Sequence, residues 1–129
     1  QDKDNKYEEP NVKNIGELNG GALWKGKADI VHKDYVIDLK TCGDITKFHN
    51  SIYNYNYDSQ GYIYRELFGK PILFLVIDKS TNVLGRFELS DESYDRGKYK
   101  VEQALEVYHK YFGEKKTEDI KSYYINRMV

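Results

Sequence analysis

The fold turns on one stretch, Gly26-Lys27-Ala28-Asp29-Ile30-Val31-His32-Lys33-Asp34-Tyr35-Val36-Ile37-Asp38-Leu39-Lys40-Thr41. Ala28, Ile30, Ile37 and Leu39 alternate with charged residues, the period of a half-buried strand. Two strands are expected, residues 22–31 and 35–41, and the link His32-Lys33-Asp34 is short enough for a hairpin. With the turn centred between Lys33 and Asp34, Val31 faces Val36, Ile30 faces Ile37, Asp29 faces Asp38 and Lys27 faces Lys40. Alternation then sends Ala28, Ile30, Ile37 and Leu39 to the core side and Lys27, Asp29, Asp38 and Lys40 to the other.

Like charges set opposite each other on a sheet are destabilising, so Asp29 against Asp38 has no structural benefit. The pair makes sense if a hard divalent cation sits between the two carboxylates, with the carbonyl of Leu39 as a further oxygen ligand. Lys40 projects to the same side as Asp38, two residues on. Two carboxylates, a cation and an ammonium group are what metal-assisted phosphodiester hydrolysis needs. The competing reading is a solvated sheet face whose Lys–Asp pair is worth about 0–1 kcal/mol. On spacing alone the solvated face is the favoured reading, because short D…D-x-K strings arise often by chance.

Outward from the hairpin, residues 1–14 are polar, contain Pro10 and show no periodicity, so they read as a tail or linker before a single domain over residues 15–129. Thr41 to Tyr57 reads as irregular or briefly helical. A helix is expected over residues 58–68, capped by Asp58 or Ser59 and stopped by Gly69 and Pro71. Residues 72–77 form a continuous apolar run typical of a buried central strand, and residues 83–89 suit a neighbouring one. Residues 98–112 carry an amphipathic stripe of Val101, Ala104, Leu105, Tyr108 and Phe112, and residues 114–129 have room for a short terminal helix. The order strand, strand, helix, strand, strand, helix gives an α/β fold, a central mixed β-sheet flanked by helices. The middle helix can cross over and make 72–77 parallel to an earlier strand.

A chain of 129 residues is one domain's worth, large enough for a core without staples. Its net charge of −1 excludes an overall cationic nucleic-acid binder but not a local basic patch. The single Cys42 excludes an internal disulfide framework, and a reducing, cytoplasmic setting is the natural reading. The apolar runs fall far short of the roughly 20 residues of a membrane helix.

The wider string decides what the hairpin left open. Gly26-Lys27-Ala28-Asp29, then Asp38-Leu39-Lys40, then Tyr57, Gln60 and Tyr64, resembles the PD-(D/E)XK nuclease superfamily, in particular its RecB-type and exodeoxyribonuclease VIII-like phage and prophage enzymes. Their pattern is G-x-x-D, a strand with D/E-x-K, and Q-x-x-x-Y on the next helix. Asp44 and Phe48 also fall where that branch has an acidic residue and an aromatic. The resemblance runs from about Glu17 to Phe112. It implies a restriction-endonuclease-like core and a Mg²⁺- or Mn²⁺-dependent deoxyribonuclease, an exonuclease of DNA recombination or processing. Asp29 and Asp38 would bind the metal and Lys40 would be the catalytic lysine. Gln60 and Tyr64, one helical turn apart on a shared face, would support the site and contact the DNA backbone with Lys27.

One departure stands out. The family supplies another acidic residue or His from a helix upstream of the hairpin, and residues 1–16 do not read as that helix. Glu17 is the nearest acidic candidate for the metal. The runner-up reading is therefore a catalytically degenerate nuclease fold that binds DNA or protein. A homo-oligomer or a recombination partner protein fits either reading.

Tyr53, Tyr55, Tyr57, Tyr62 and Tyr64 crowd beside the motif, and aromatics near Lys47 and Arg65 can stack on unpaired nucleotides or serve as packing. Lys25, Lys27, Lys33 and Lys47 could form the basic rim that holds phosphates. The three histidines are dispersed without metal spacing, and Cys42 reads as a small loop residue.

Overall fold

The computed structural model describes residues 4–112. Five strands form one sheet in the order β1-β2-β3-β4-β5: β1 Lys6–Ile15, β2 Ala22–Val31, β3 Val36–Cys42, β4 Ile72–Asp78 and β5 Leu84–Glu88. Pairing is antiparallel except between β3 and β4, which are parallel. Helices α1 (Phe48–Asn54) and α2 (Tyr57–Phe68) make the β3-to-β4 crossover, and α3 (Asp91–Phe112) follows β5. This is the mixed α/β sheet expected, consistent with a PD-(D/E)XK core, and the apolar run 72–77 is its parallel strand.

The hairpin closes as its residues dictate. The His32 N–H donates to the Tyr35 carbonyl at 2.8 Å, and Ile30 pairs with Ile37 and Val31 with Val36. The core layer lies between the sheet and α1–α3. On the β4 side it holds Phe48, Ile52, Ile72, Phe74, Val76, Leu89 and Tyr94. On the β1–β2 side it holds Ile15, Tyr62, Leu67, Val101 and Leu105. In α3 the buried stripe runs Tyr94, Gly97, Val101, Leu105 and Tyr111, while Tyr108 and Phe112 are exposed.

Three expectations are corrected. From Lys6 onward the supposed tail is edge strand β1, paired with β2 over almost its whole length. It is an edge strand with only Ile15 buried, so it carries no apolar periodicity, and Pro10 is tolerated because an edge strand has an unpaired side. Next, α3 begins at Asp91 rather than Lys98, because Ser90 Oγ accepts the Ser93 N–H and Asp91 and Glu92 occupy the first turn. Finally, the two faces of β3 are exchanged. Val36 and Asp38 are buried on the helix-covered side, in register with Ile72 and Phe74, whereas Leu39 is 55% exposed on the other. The terminal helix expected over 114–129 lies outside the described residues. Among the described residues no helix is long and apolar enough to cross a membrane.

Candidate active site

The β2–β3 ladder contains only the pairs next to the turn, and beyond Ile30↔Ile37 the strands part. Asp29 fills the opening. Its Oδ2 accepts the Leu39 N–H at 2.9 Å, taking the place of a backbone ladder bond. The carbonyl of Leu39 leaves the strand on that same edge. On the other side of β2, β1 bends at the matching point: Glu8 has φ of 51°, an uncommon left-handed value for a non-glycine residue.

Asp38 projects from β3 into the layer beneath α2. Gln60 Nε2 donates to its Oδ1 at 3.1 Å. Lys40 Nζ stands 2.9 Å from its Oδ2 in an ion pair. That ammonium is the polar group facing the buried Oδ2, and no second donor reaches it. Burial pushes the Asp38 carboxyl above the ordinary range. Lys40 opposes that rise and the nearby Asp29 carboxylate adds to it. Asp29 and Asp38 feel each other's charge, although the ladder does not include the Asp29–Asp38 pair that the hairpin register predicts. Lys40 is seated on an aromatic, its Nζ 4.2 Å from the centre of the Tyr57 ring.

Helix α2 holds this arrangement. The Tyr64 hydroxyl donates to the Lys27 carbonyl at 3.0 Å and fixes β2 just before Asp29. That reach depends on Gly26, where an added Cβ would lie 2.7 Å from Leu67 and 3.0 Å from Tyr64. The first glycine of the sequence pattern is therefore a close-approach position. At the other end of α2, the chain enters through Asn56 in a left-handed conformation, and Asp58 is locked by Arg96 and Lys100 of α3. Gly97 permits that crossing, since a Cβ there would overlap the carbonyl of Asp58.

The structure thus brings together Asp29, Asp38, Leu39, Lys40 and Gln60, with Tyr64 one contact away. The Lys27 ammonium lies outside this group, exposed and 3.4 Å from Glu8. Glu17 is not brought to the group. It stands in the β1–β2 connection, where its N–H donates to Glu102 of α3, and seven residues of β2, about 20 Å of strand rise, separate that end from Asp29. Asp44 caps the short helical turn after β3 by accepting from Thr46, and Phe48 is core. His109 Nε2 meets the Gly21 carbonyl at 2.8 Å, far along the chain from the hairpin acids. Sequence reading missed the seat that Tyr57 gives Lys40, the anchoring of α2 by Asp58 and the bend at Glu8. Each depends on contacts between separate elements, which no spacing rule encodes.

The donor set fits a hard divalent ion. Among the described residues no three His, Cys, Asp or Glu side chains converge, so the candidate protein ligands are the Asp29 and Asp38 carboxylates and the Leu39 carbonyl. Magnesium is commonly held by one or two carboxylates, keeps several waters and takes the rest of its shell from substrate phosphates. The Oδ2 of Asp38, met by the Lys40 ammonium and no second donor, is the oxygen with capacity for such a partner.

No curated protein is significantly similar to the chain in sequence. A solved structure of a provisionally assigned exonuclease from Eubacterium rectale superposes with a TM-score of 0.63 at 21% identity, covering 81% of this chain and 44% of that one. This chain thus spans less than half the length of that protein. A second structure, SSO0001, has a TM-score of 0.45 at 18% identity over 78% of this chain and 50% of that one. The first likeness, at its low identity, speaks for the fold alone. The family model for the PDDEXK-like domain of unknown function (DUF3799) matches residues 9–120, taking in β1, the splayed hairpin and all three helices, and the chain belongs to that family.

Proposed function

We propose that this domain is a Mg²⁺- or Mn²⁺-dependent deoxyribonuclease that hydrolyses phosphodiester bonds at DNA ends. The observation that carries the reading is Asp38, a buried carboxylate that feels a second carboxylate, Asp29, and has an ammonium group at 2.9 Å. Asp29 and Asp38 would hold the ion together with the carbonyl of Leu39. A bound divalent ion supplies a nucleophile at neutral pH and offsets charge on the phosphoryl oxygens. Lys40, steadied by Asp38 and the Tyr57 ring, places a positive charge where negative charge develops at phosphorus. Gln60 would hold the Asp38 carboxylate in place, and Tyr64 would hold β2 just before Asp29. In this reading Gln60 and Tyr64 are positioning residues for the hairpin acids.

The test is linear DNA incubated with the chain in Mg²⁺ or Mn²⁺. Degradation is expected, with Asp38→Ala or Lys40→Ala lowering the rate by a factor on the order of 10³. Undiminished cutting in EDTA, or by the double variant, would refute the mechanism. The distance of Glu17 from the acids supports a second reading, a nuclease fold that binds DNA without cleaving it. Retention in a gel shift with no product under either metal would select it.

A further inference from the structure

We propose that the cleft between the end of β3 and α1 is a subsite for an unpaired nucleotide of single-stranded DNA, with its base on Tyr55 and its phosphate at Lys47. This rests on the nuclease reading above and specifies the form of DNA the site accepts. The cleft has a volume of about 380 Å³, and its walls include Thr41, Asp44, Lys47, Ser51, Tyr55 and Tyr57. It lies beyond the carboxyl end of β3, the side on which open α/β sheets bind ligands. Its size falls within the range of small-molecule sites.

Tyr57 joins the cleft to the hairpin acids. Its ring carries Lys40 at 4.2 Å and lies 6.1 Å from the ring of Tyr55. An extended single strand with a phosphate at Lys40 reaches Tyr55 within one or two nucleotides.

The tyrosines of this stretch differ in what already occupies them. Tyr53 is covered by Lys100 at 4.0 Å and Arg96 at 5.1 Å. Tyr57 packs on Phe48 and Phe74. Tyr55 is 68% exposed and stands at the cleft mouth. A base can stack on it only if one face of that base is free, which excludes the interior of a duplex. Lys47 supplies the positive charge for a phosphate, and the Ser51 hydroxyl can donate beside it. Asp44, held by the N–H and hydroxyl of Thr46, puts negative charge on the same rim. That carboxylate also feels the Lys47 ammonium, so a phosphate at Lys47 competes with it.

The experiment measures fluorescence anisotropy of the whole chain in EDTA, where the proposed chemistry is silent, with a short oligothymidylate and with a blunt hairpin duplex. The single strand should bind about tenfold tighter than the duplex, and Tyr55→Ala should remove that advantage. Tyr55→Phe should keep it, and Lys47→Ala should lower the salt slope for the single strand by about 0.7. Equal affinity for the two DNAs, or single-strand binding unchanged in Tyr55→Ala, would overturn the subsite. Cleavage assays in Mn²⁺ keep the two proposals apart. Wild-type cleavage that Tyr55→Ala leaves untouched on single-stranded ends removes the subsite and spares the nuclease. Tyr55-dependent binding without cleavage under either metal supports the subsite and removes the nuclease.

Discussion

Asp58 and Asp38 are both buried aspartates beneath the helical layer, and they meet burial in opposite ways. Asp58 is saturated. Its Oδ2 takes Arg96 Nε at 2.8 Å, and its Oδ1 takes the Ser59 N–H and Lys100 Nζ. Asp38 has one amide donor, one ammonium at 2.9 Å, and a second carboxylate whose charge it feels. A buried charge with every lone pair answered is structural, because the fold gains from it as it stands. A buried charge with fewer donors and a like charge nearby costs stability, which supports the proposed role of Asp38 in binding an ion.

The sharpest way to break that contrast is to remove the saturated acid. Asp58→Ala leaves Arg96 and Lys100 facing an uncharged α2 terminus. Breaking a buried pair costs about 3–5 kcal/mol, and the low end applies because both cations can still reach water. Urea denaturation should show a loss of about 3 kcal/mol. A loss within the range of ordinary surface substitutions, below roughly 0.5 kcal/mol, would place Asp58 among exposed ion pairs and dissolve the comparison.

Asp38→Asn should move stability the other way and by less. Burial and the Asp29 charge outweigh Lys40, so the folded protein holds the Asp38 proton more tightly than the unfolded chain does. Wild-type stability from this group is therefore full below the ordinary carboxylate pKa and declines as pH rises through the raised folded value. The neutral isostere lacks that decline. At pH 7 it should melt a few degrees higher, the scale of about 1 kcal/mol in a domain of this size, while Mn²⁺ binding by calorimetry disappears. A lower melting temperature would show that the Lys40 pair dominates and that Asp38 is structural after all.

The sequence made the hairpin turn, the central strand and the D…D-x-K acids legible, because each depends on local pattern. The run 72–77 is apolar throughout since β4 is a central strand, whereas β1 was invisible because an edge strand with one buried residue needs no pattern. The exchanged faces of β3 are the instructive failure. Reading apolar as inward put Leu39 in the core and Asp38 outside, and the protein does the reverse. Local rules are expected to break where function outweighs packing, so the inversion is in keeping with the proposed role of Asp38. The start of α3 was within reach, since Ser90 followed by Asp91 and Glu92 is an N-terminal signal that the weak apolar stripe of residues 91–97 hid. The seat of Lys40 on Tyr57 was not within reach, because nothing in spacing tells which ring a lysine will find across a crossover.

Asp78 sharpens the comparison at its small end, because it is the third buried aspartate among the described residues and is shifted in the opposite direction to Asp38. Its carboxylate closes the turn after β4. The Ser80 hydroxyl at 2.7 Å and the N–H groups of Ile45, Ser80 and Thr81 hold it far below the usual carboxylate range. A depressed folded value means the unfolded chain binds the proton more readily. The contribution is present above the ordinary carboxylate pKa, through neutral pH, and is lost as pH falls toward the folded value in strong acid. Ser80→Ala removes the largest single cause and leaves the three backbone donors. The acid-unfolding midpoint, followed by circular dichroism, should therefore rise by less than roughly one pH unit. Stability near neutral pH should fall only slightly. A midpoint that stays put would mean the backbone donors alone set the Asp78 carboxylate. A midpoint that moves to lower pH would reverse the assigned sign and leave Asp58 as the sole saturated counterpart to Asp38.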